Sequence, residues 1–128
     1  MRQLQTFVID SISAVTAEMR GQIVVTGSHG GVSAAHLALV HPPGLAIFND
    51  AGVGLDGAGV RGLELLNDQT VAACAVSHET ARIGEAASTL ATGRISAVNA
   101  LAKRAGIAPG QTCADAISFF LKSFTNKG

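Results

Sequence analysis

The sequence contains no tryptophan or tyrosine and few charged residues. Its only aromatic residues are five phenylalanines, and Asp, Glu, Lys and Arg together make up 14% of its 128 residues. Nine acidic residues balance nine basic ones, and no basic cluster exceeds the pair Lys103 and Arg104. Because nucleic-acid binding relies on aromatic stacking and clustered cations, this composition argues against a nucleic-acid partner.

Cysteine is also scarce, and long apolar runs are missing. Cys74 and Cys113 are too few for a disulfide framework or a zinc site, and the apolar surroundings of Cys74 predict a core residue. No apolar run approaches the ~20 residues of a membrane span, and polar residues from Asp10 onward interrupt the N-terminal segment. We therefore expect a cytoplasmic protein with no membrane partner.

Hydrophobic residues, by contrast, make up 48% of the chain. The length suits one domain, residues 1–128. Since a soluble domain usually has roughly 25% charged residues, this chain has little charge with which to cover its surface. Large apolar patches on soluble proteins mark interfaces, so we expect a homo-oligomer.

Four short apolar segments without polar alternation predict strands that are covered on both faces. The predicted strands are 4–10, 22–27, 44–50 and 70–77. The predicted helices are 32–41, 57–68, 95–106 and 113–124. Strands and helices that alternate in this way predict a Rossmann-like α/β domain, a three-layer fold in which about four mostly parallel strands carry helices on both faces. The direction of the first strand is left open.

The polar and glycine-rich loops follow the predicted strands rather than precede them. These loops are "TGSHGG", "NDAGVGLDGAG" and "SHETARIGEAASTLATGR", whereas "HPPG" and "NDQ" at the opposite ends carry little that suggests chemistry. Ligands of open parallel sheets bind where the carboxyl ends of the strands meet. The sequence therefore places a small-molecule site at that edge.

The first loop contains Ser28, His29, Gly30 and Gly31. Its glycines permit close backbone approach, so one interpretation is an anion or oxyanion pocket with Ser28 and His29 at its rim. In the other interpretation, Ser28 caps the following helix and His29 bonds a neighbouring carbonyl. Adjacent side chains on extended backbone point apart, so the proximity of Ser28 and His29 in sequence is no evidence for a nucleophile with its base.

The second loop has the dinucleotide spacing Gly52-x-Gly54-x-x-Gly57. Asp50 and Asp56 would place negative charge beside a pyrophosphate, and the chain lacks a second mononucleotide half, so NAD is not expected. The glycines are instead predicted to form a tight turn. Asp50 and Asp56 would face the crevice as acceptors, metal ligands or a base, unless Asp56 caps a helix that begins at Gly57.

The third loop spans residues 77–94 and is the longest irregular segment that the sequence predicts. Loops of this length in compact domains are usually functional. Its candidate substrate-binding residues are Ser77, Glu79, Arg82, Ser88 and Thr89. Arg82 would bind a carboxylate or phosphate, or form a solvated pair with Glu85 on a helix over 79–90.

His29, Asp50 and His78 follow three successive strands and are the candidate catalytic residues. Two imidazoles and a carboxylate suit acid–base catalysis, or binding of Zn²⁺, Mn²⁺ or Fe²⁺. No dense ligand motif accompanies them, so no metal ligand is assigned and a divalent metal is left open. His36 and His41 fall outside the predicted edge.

These patterns favour an enzyme that acts on a small anionic or amide-containing metabolite by acid–base chemistry of the hydrolase or lyase type. His29 or His78 would transfer the proton, Asp50 would orient the imidazole or act as base, and Arg82 would clamp a carboxylate. The alternative is a small-molecule or nucleotide-binding subunit of an oligomeric complex that catalyses nothing. A third hypothesis is a self-assembling structural protein whose glycine turns serve packing alone.

Overall fold

The computed structural model describes residues 4–125, with side chains as far as Ser123. Residues 1–3 and 126–128 of the expected domain lie outside the described residues. The described chain forms one mostly parallel sheet with helices on both faces. The predicted α/β class is therefore confirmed.

The sheet has five strands in the order in which they occur along the chain. They are β1 (Thr6–Ile9), β2 (Ile23–His29), β3 (Leu45–Asn49), β4 (Ala72–Val76) and β5 (Ile95–Val98). The first four are parallel, which settles the direction of β1, and β5 runs antiparallel to β4. The start of β5 therefore lies at the same edge as the ends of the other four strands.

Five helices cover the two faces of the sheet. They are α1 (Val32–Ala38), α2 (Gly62–Asp68), α3 (Ala86–Thr92), α4 (Ala100–Arg104) and α5 (Cys113–Thr125). One face packs against α1, α2 and two short 3-10 turns between β1 and β2, and the other packs against α3, α4 and α5. None of these helices has the length and apolar character needed to cross a bilayer.

Successive strand residues supply alternate faces of the sheet. Val25 and Cys74 belong to the α5 side of the core, whereas Val24 and Phe48 belong to the α1 side. This explains the unbroken apolar runs, since both faces of each inner strand are covered. Cys74 is fully buried, which confirms it as a core residue. Burial raises the pKa of its thiol well above the ordinary range and that of Cys113 to about 12.

The expected helix over 95–106 is wrong in its first half. Residues Ile95–Val98 form β5, and only Ala100–Arg104 are helical. The apolar spacing suits a helix, but residues 95–98 instead pair with the edge of β4, and this tertiary contact outweighs local spacing. Asn99 ends the strand and caps α4 through its side chain. The sheet consequently has five strands rather than about four.

The expected helix over 57–68 begins later, at Gly62. Asp56 and Gly57 have φ values of 55° and 72°, in the left-handed region, which a right-handed helix cannot include. Asp56 therefore caps no helix there. A Cβ at position 62 would overlap the carbonyl oxygen of Gly31, so a glycine is needed where α2 packs against the start of α1.

The third loop is irregular only as far as residue 85, after which α3 begins. The alternative helix over 79–90 is also wrong, because Gly84 has φ of 82° and interrupts a helix. The Gly84 N–H donates to the carbonyl oxygen of Gly27 at 2.7 Å, and a Cβ on Gly27 would overlap the backbone at Glu85. This close approach fixes the loop across the end of β2.

Asn99 is a buried structural residue, and we expect Asn99→Ala to be strongly destabilising. Its side chain accepts from the backbone N–H groups of Ala73 and Ala102 and donates to the carbonyls of Leu63 and Val71. An unpaired buried polar group costs about 1–3 kcal/mol, so the free energy of unfolding should fall by more than about 3 kcal/mol. Urea denaturation measures the change.

Asn67→Ala is the matched control for this prediction. The Asn67 side chain accepts one backbone hydrogen bond, from the N–H of Leu101 at 3.0 Å. Its removal should cost about 1 kcal/mol. Equal losses for the two variants would contradict the structural role given to Asn99.

Candidate functional site

The carboxyl edge of the sheet brings together residues from four strands and the loops beside them. Asn49, the last residue of β3, is paired with His29 of β2 on one side and with Val76 of β4 on the other. Asp50 follows Asn49, and Ser96 comes from the start of the antiparallel β5. Four consecutive strands thus contribute to one edge.

The Asp50 carboxylate accepts hydrogen bonds from three segments of chain at this edge. Its Oδ1 accepts from the backbone N–H groups of Gly52 at 2.8 Å and His78 at 3.0 Å. Its Oδ2 accepts from the Ser96 hydroxyl at 2.6 Å, and Asp50 is only 4% exposed. A carboxylate bound by so many donors is held in one orientation as an anion.

Two opposing effects act on the pKa of Asp50. Burial, the largest single effect, raises it, whereas the hydrogen bonds from Ser96, Gly52 and His78 lower it. Together the hydrogen bonds outweigh burial, so the pKa of Asp50 lies below its ordinary value of 3.8. Asp50 is therefore an anion at neutral pH and a poor proton donor.

His78 lies beside this anion with one face open. Its Nδ1 is 3.4 Å from Asp50 Oδ1, and its side chain is 53% exposed. The ring rests on the backbone of Gly52, where a Cβ would come within 3.6 Å of it. A neutral imidazole that carries its proton on Nδ1, the nitrogen next to Asp50, has a lone pair on Nε2 that can accept a proton.

The exposed side of His78 lines a cleft of about 740 Å³, which we call the His78 cleft. Its walls come from Ala51 and from residues 78–92 of the third loop and α3. The charged side chains in its lining, apart from the histidine, are Glu79, Arg82 and Glu85. Ser88 also lines it and accepts from the Arg82 N–H at 2.9 Å, which ties the loop to α3.

Ala51, which lines the His78 cleft, begins a backbone turn of unusual conformation. Residues 51–54 all have positive φ, at 52°, 75°, 67° and 76°. Left-handed backbone costs roughly 1–2 kcal/mol for a residue with a Cβ, and Val53 is β-branched. Asn49 holds this turn in place, because its side chain accepts from the Ala51 N–H and donates to the carbonyl of Ala81 in the third loop.

His29 faces a second and smaller cleft of about 370 Å³, the His29 cleft, on the other side of the same turn. Its polar side chains are His29, Ser33 and Arg61, and Ala51 lines both clefts. His29 therefore shares an edge with Asp50 and His78 but does not join their contact. Within residues 4–125, no group of three or more His, Cys, Asp or Glu side chains is placed to hold a metal ion.

The remaining candidates divide between cleft walls and structural positions. Gly31 lines the His29 cleft, and Glu79, Arg82 and Ser88 line the His78 cleft. The others lie outside both linings, and they are Ser28, Gly30, Asp56, Ser77 and Thr89.

Hydrogen bonds explain three of these structural positions. The Ser28 hydroxyl accepts from the backbone N–H of Ile12 rather than capping α1. The buried Thr89 hydroxyl donates to the carbonyl of Thr26. The Ser77 hydroxyl accepts from the N–H of Glu79 within the third loop.

Two residues of the edge, Ser96 and Arg61, do not stand out in the sequence. Ser96 lies in a segment with helical spacing, and only an antiparallel return strand would place it at the edge. Arg61 comes after the second loop, and the sequence of that loop does not indicate where the Arg61 guanidinium lies. The guanidinium lines a cleft without carboxylates because of the path of the turn at residues 51–57.

Comparison with protein-family models, with curated proteins and with solved structures finds no match to this chain. Function here is inferred from the chemistry of the edge residues, since a fold class hosts many activities. The glycine spacing at residues 52–57 does not indicate dinucleotide binding. In a Rossmann motif the helix begins within the glycine sequence, whereas α2 begins five residues after Gly57.

The lowered pKa of Asp50 predicts a specific pH dependence of stability. The carboxylate contributes stability that is fully present above its ordinary pKa of 3.8 and is lost as the pH falls through the lower folded-state pKa. Asp50→Asn, which keeps the acceptor but removes the charge, should lower the free energy of unfolding by about 1–2 kcal/mol at pH 7. Towards pH 2 the two proteins should converge in urea denaturation.

Asp68→Asn provides the control, since Asp68 is exposed at the end of α2. It should change the free energy of unfolding by less than about 0.5 kcal/mol at both pH values. A constant difference between wild type and Asp50→Asn across this pH range would show that the charge of Asp50 is not what stabilises the edge.

Proposed function

We propose that this protein is an enzyme that acts on a small anionic or amide-containing metabolite by acid–base chemistry of the hydrolase or lyase type. The observation that carries the proposal is the contact of the buried Asp50 carboxylate with His78, whose imidazole lines the 740 Å³ cleft. His78 transfers the proton. Asp50, 3.4 Å from the His78 Nδ1, orients the ring.

The arrangement supports His78, and not Asp50, as the residue that transfers the proton. Asp50 is enclosed by donors from Gly52, His78 and Ser96, and its pKa is low, so it is a weak base. His78 is half exposed and adjoins the space where a substrate would lie. A base must reach its proton, and of this pair the imidazole is the group that lines the cleft.

In this proposal Ser96 is a positioning residue that orients Asp50. It does not act as a nucleophile. Its hydroxyl donates to Asp50 Oδ2 at 2.6 Å, so the hydrogen is directed away from His78. A serine nucleophile would instead need its hydroxyl to donate to the base. In this proposal, His78 accepts its proton from water or from a carbon–hydrogen bond of the substrate.

Turnover can be tested with a panel of candidate substrates. The protein is incubated in D₂O with small carboxylates, phosphate esters and amides, and product formation or deuterium incorporation is followed by NMR. A positioned general base contributes about 10²–10⁴-fold, so His78→Asn should lower the rate at least ~100-fold. Ser96→Ala should have a smaller effect, because Asp50 keeps its two backbone donors.

His36→Asn is the matched control, since His36 is exposed on α1 away from the edge. It should leave the rate unchanged. Full activity in His78→Asn would overturn the role of His78. Ligand binding without turnover by the wild type would favour the alternative, a binding subunit that catalyses nothing.

Self-association is a further part of the proposal. β1 is an edge strand with a partner on one side only among the described residues, and its Val8 is 45% exposed, while Val40 after α1 is 59% exposed. With few charged residues to solvate it, such surface favours burial between copies. Light scattering coupled to size exclusion should give a multiple of 12.9 kDa, and a mass of 12.9 kDa would contradict it.

A further inference from the structure

We propose that the His29 cleft binds the anionic group of the substrate, a carboxylate or phosphate, through Arg61 and His29. This inference rests on the proposed function, because it assigns to the same substrate a second contact across the turn from His78. It also moves the anion-binding role from Arg82, the residue that the sequence favours, to Arg61.

The charges in the two clefts support this division. The lining of the His78 cleft contains Arg82 and the two carboxylates Glu79 and Glu85, a formal charge of −1 with neutral histidine. The lining of the His29 cleft contains Arg61 and no carboxylate, a formal charge of +1. The exposed Asp56, whose backbone carbonyl accepts from Arg61, lies outside this lining. The lining of the His29 cleft therefore favours an anion more than that of the His78 cleft does, while an uncharged reacting group suits the His78 cleft.

Arg61 and Arg82 also differ in what already occupies their guanidinium groups. Arg82 lies 4.0 Å from Glu85 Oε2 in an exposed pair. Arg61 donates one hydrogen bond, from Nη2 to the backbone carbonyl of Asp56 at 3.0 Å, and no carboxylate among the described residues pairs with it. A carbonyl orients the guanidinium without neutralising it, which leaves its other donors for a carboxylate or phosphate.

The His29 imidazole is held close to the same cleft by packing alone. A Cβ on Gly31 would come within 3.0 Å of the ring, so the ring occupies the space that a larger residue would fill. Within the described residues its ring nitrogens have no hydrogen-bond partner. They are therefore available to a ligand, and the Ser33 hydroxyl lies in the same lining.

Sheet geometry sets the size of a ligand that reaches both clefts. His29 is paired with Asn49, and Asn49 with Val76, so the ends of β2 and β4 are two strand spacings apart, or roughly 10 Å. Ala51 lines both clefts and lies between them. The substrate class is thus a small molecule whose anionic group is separated from its reacting atom by a distance of this order.

Phosphate and carboxylate binding can be tested directly. Inorganic phosphate and, separately, succinate are titrated at constant pH and low salt into isotopically labelled protein, and the imidazole signals of His29 and His78 are followed by NMR. Saturable shifts centred on His29 are expected. Arg61→Gln should weaken binding at least ~10-fold, whereas Arg82→Gln, the matched control, should change it less than ~2-fold. A response to phosphate alone or to succinate alone identifies the anion.

Three further variants keep the test decisive. Arg61→Lys retains the charge but loses the planar fork, so it should bind more weakly than wild type and more tightly than Arg61→Gln. Gly31→Ala should weaken binding by displacing the His29 ring, with the amide spectrum elsewhere unchanged. His78→Asn should bind phosphate as wild type does, which separates this inference from the proposed acid–base role.

The proposal is overturned if neither anion gives saturable shifts up to ~50 mM, if the shifts centre on His78, or if Arg82→Gln weakens binding as much as Arg61→Gln. If His78→Asn loses turnover and any of these results is also found, the proposed acid–base function stands and only the proposed anion site is rejected. Anion binding with the expected variant order would stand even if no turnover were found.

Discussion

The hydrogen bonds to the Asp50 carboxylate are the interaction on which the rest of the edge depends. They join the turn after β3, the end of β4 and the start of β5 at a single buried anion. Burying a carboxylate is costly, and here donors from three segments of chain compensate for it. The same contacts that hold the edge together also fix the charge beside His78.

Two clefts arise because the chain after Asp50 reverses through a left-handed turn. The four consecutive positive φ values at residues 51–54 form a ridge of backbone between the His78 cleft and the His29 cleft. Such backbone is unfavourable for Ala51 and Val53, and Asn49 and Asp50 offset the cost by accepting from the N–H groups of Ala51 and Gly52. The ridge separates a cleft with excess negative charge from one with excess positive charge.

The sequence predicts which residues lie at the carboxyl edge when they follow parallel strands directly. It does not predict residues whose position depends on contacts between distant segments. Asp50 and His78 follow successive parallel strands, and the ends of such strands must meet at one edge, so their proximity follows from chain order. Ser96 could not be placed because β5 pairs with β4 only through a long-range contact that local helical spacing conceals. His29 was expected to converge with the other two, but a backbone turn, whose path depends on several left-handed residues at once, lies between them.

The sequence by itself determined the α/β class, the parallel strands and the edge that carries the polar loops, because these follow from apolar runs and from the order of elements along the chain. Only the tertiary structure decided which side chains touch, that Asp50 is satisfied by a hydroxyl from β5, and that Arg61 rather than Arg82 faces an acid-free cleft. The physical reason is that hydrophobic periodicity is a local property. Hydrogen bonds and charge balance at an edge depend instead on distances between segments that lie far apart in the chain.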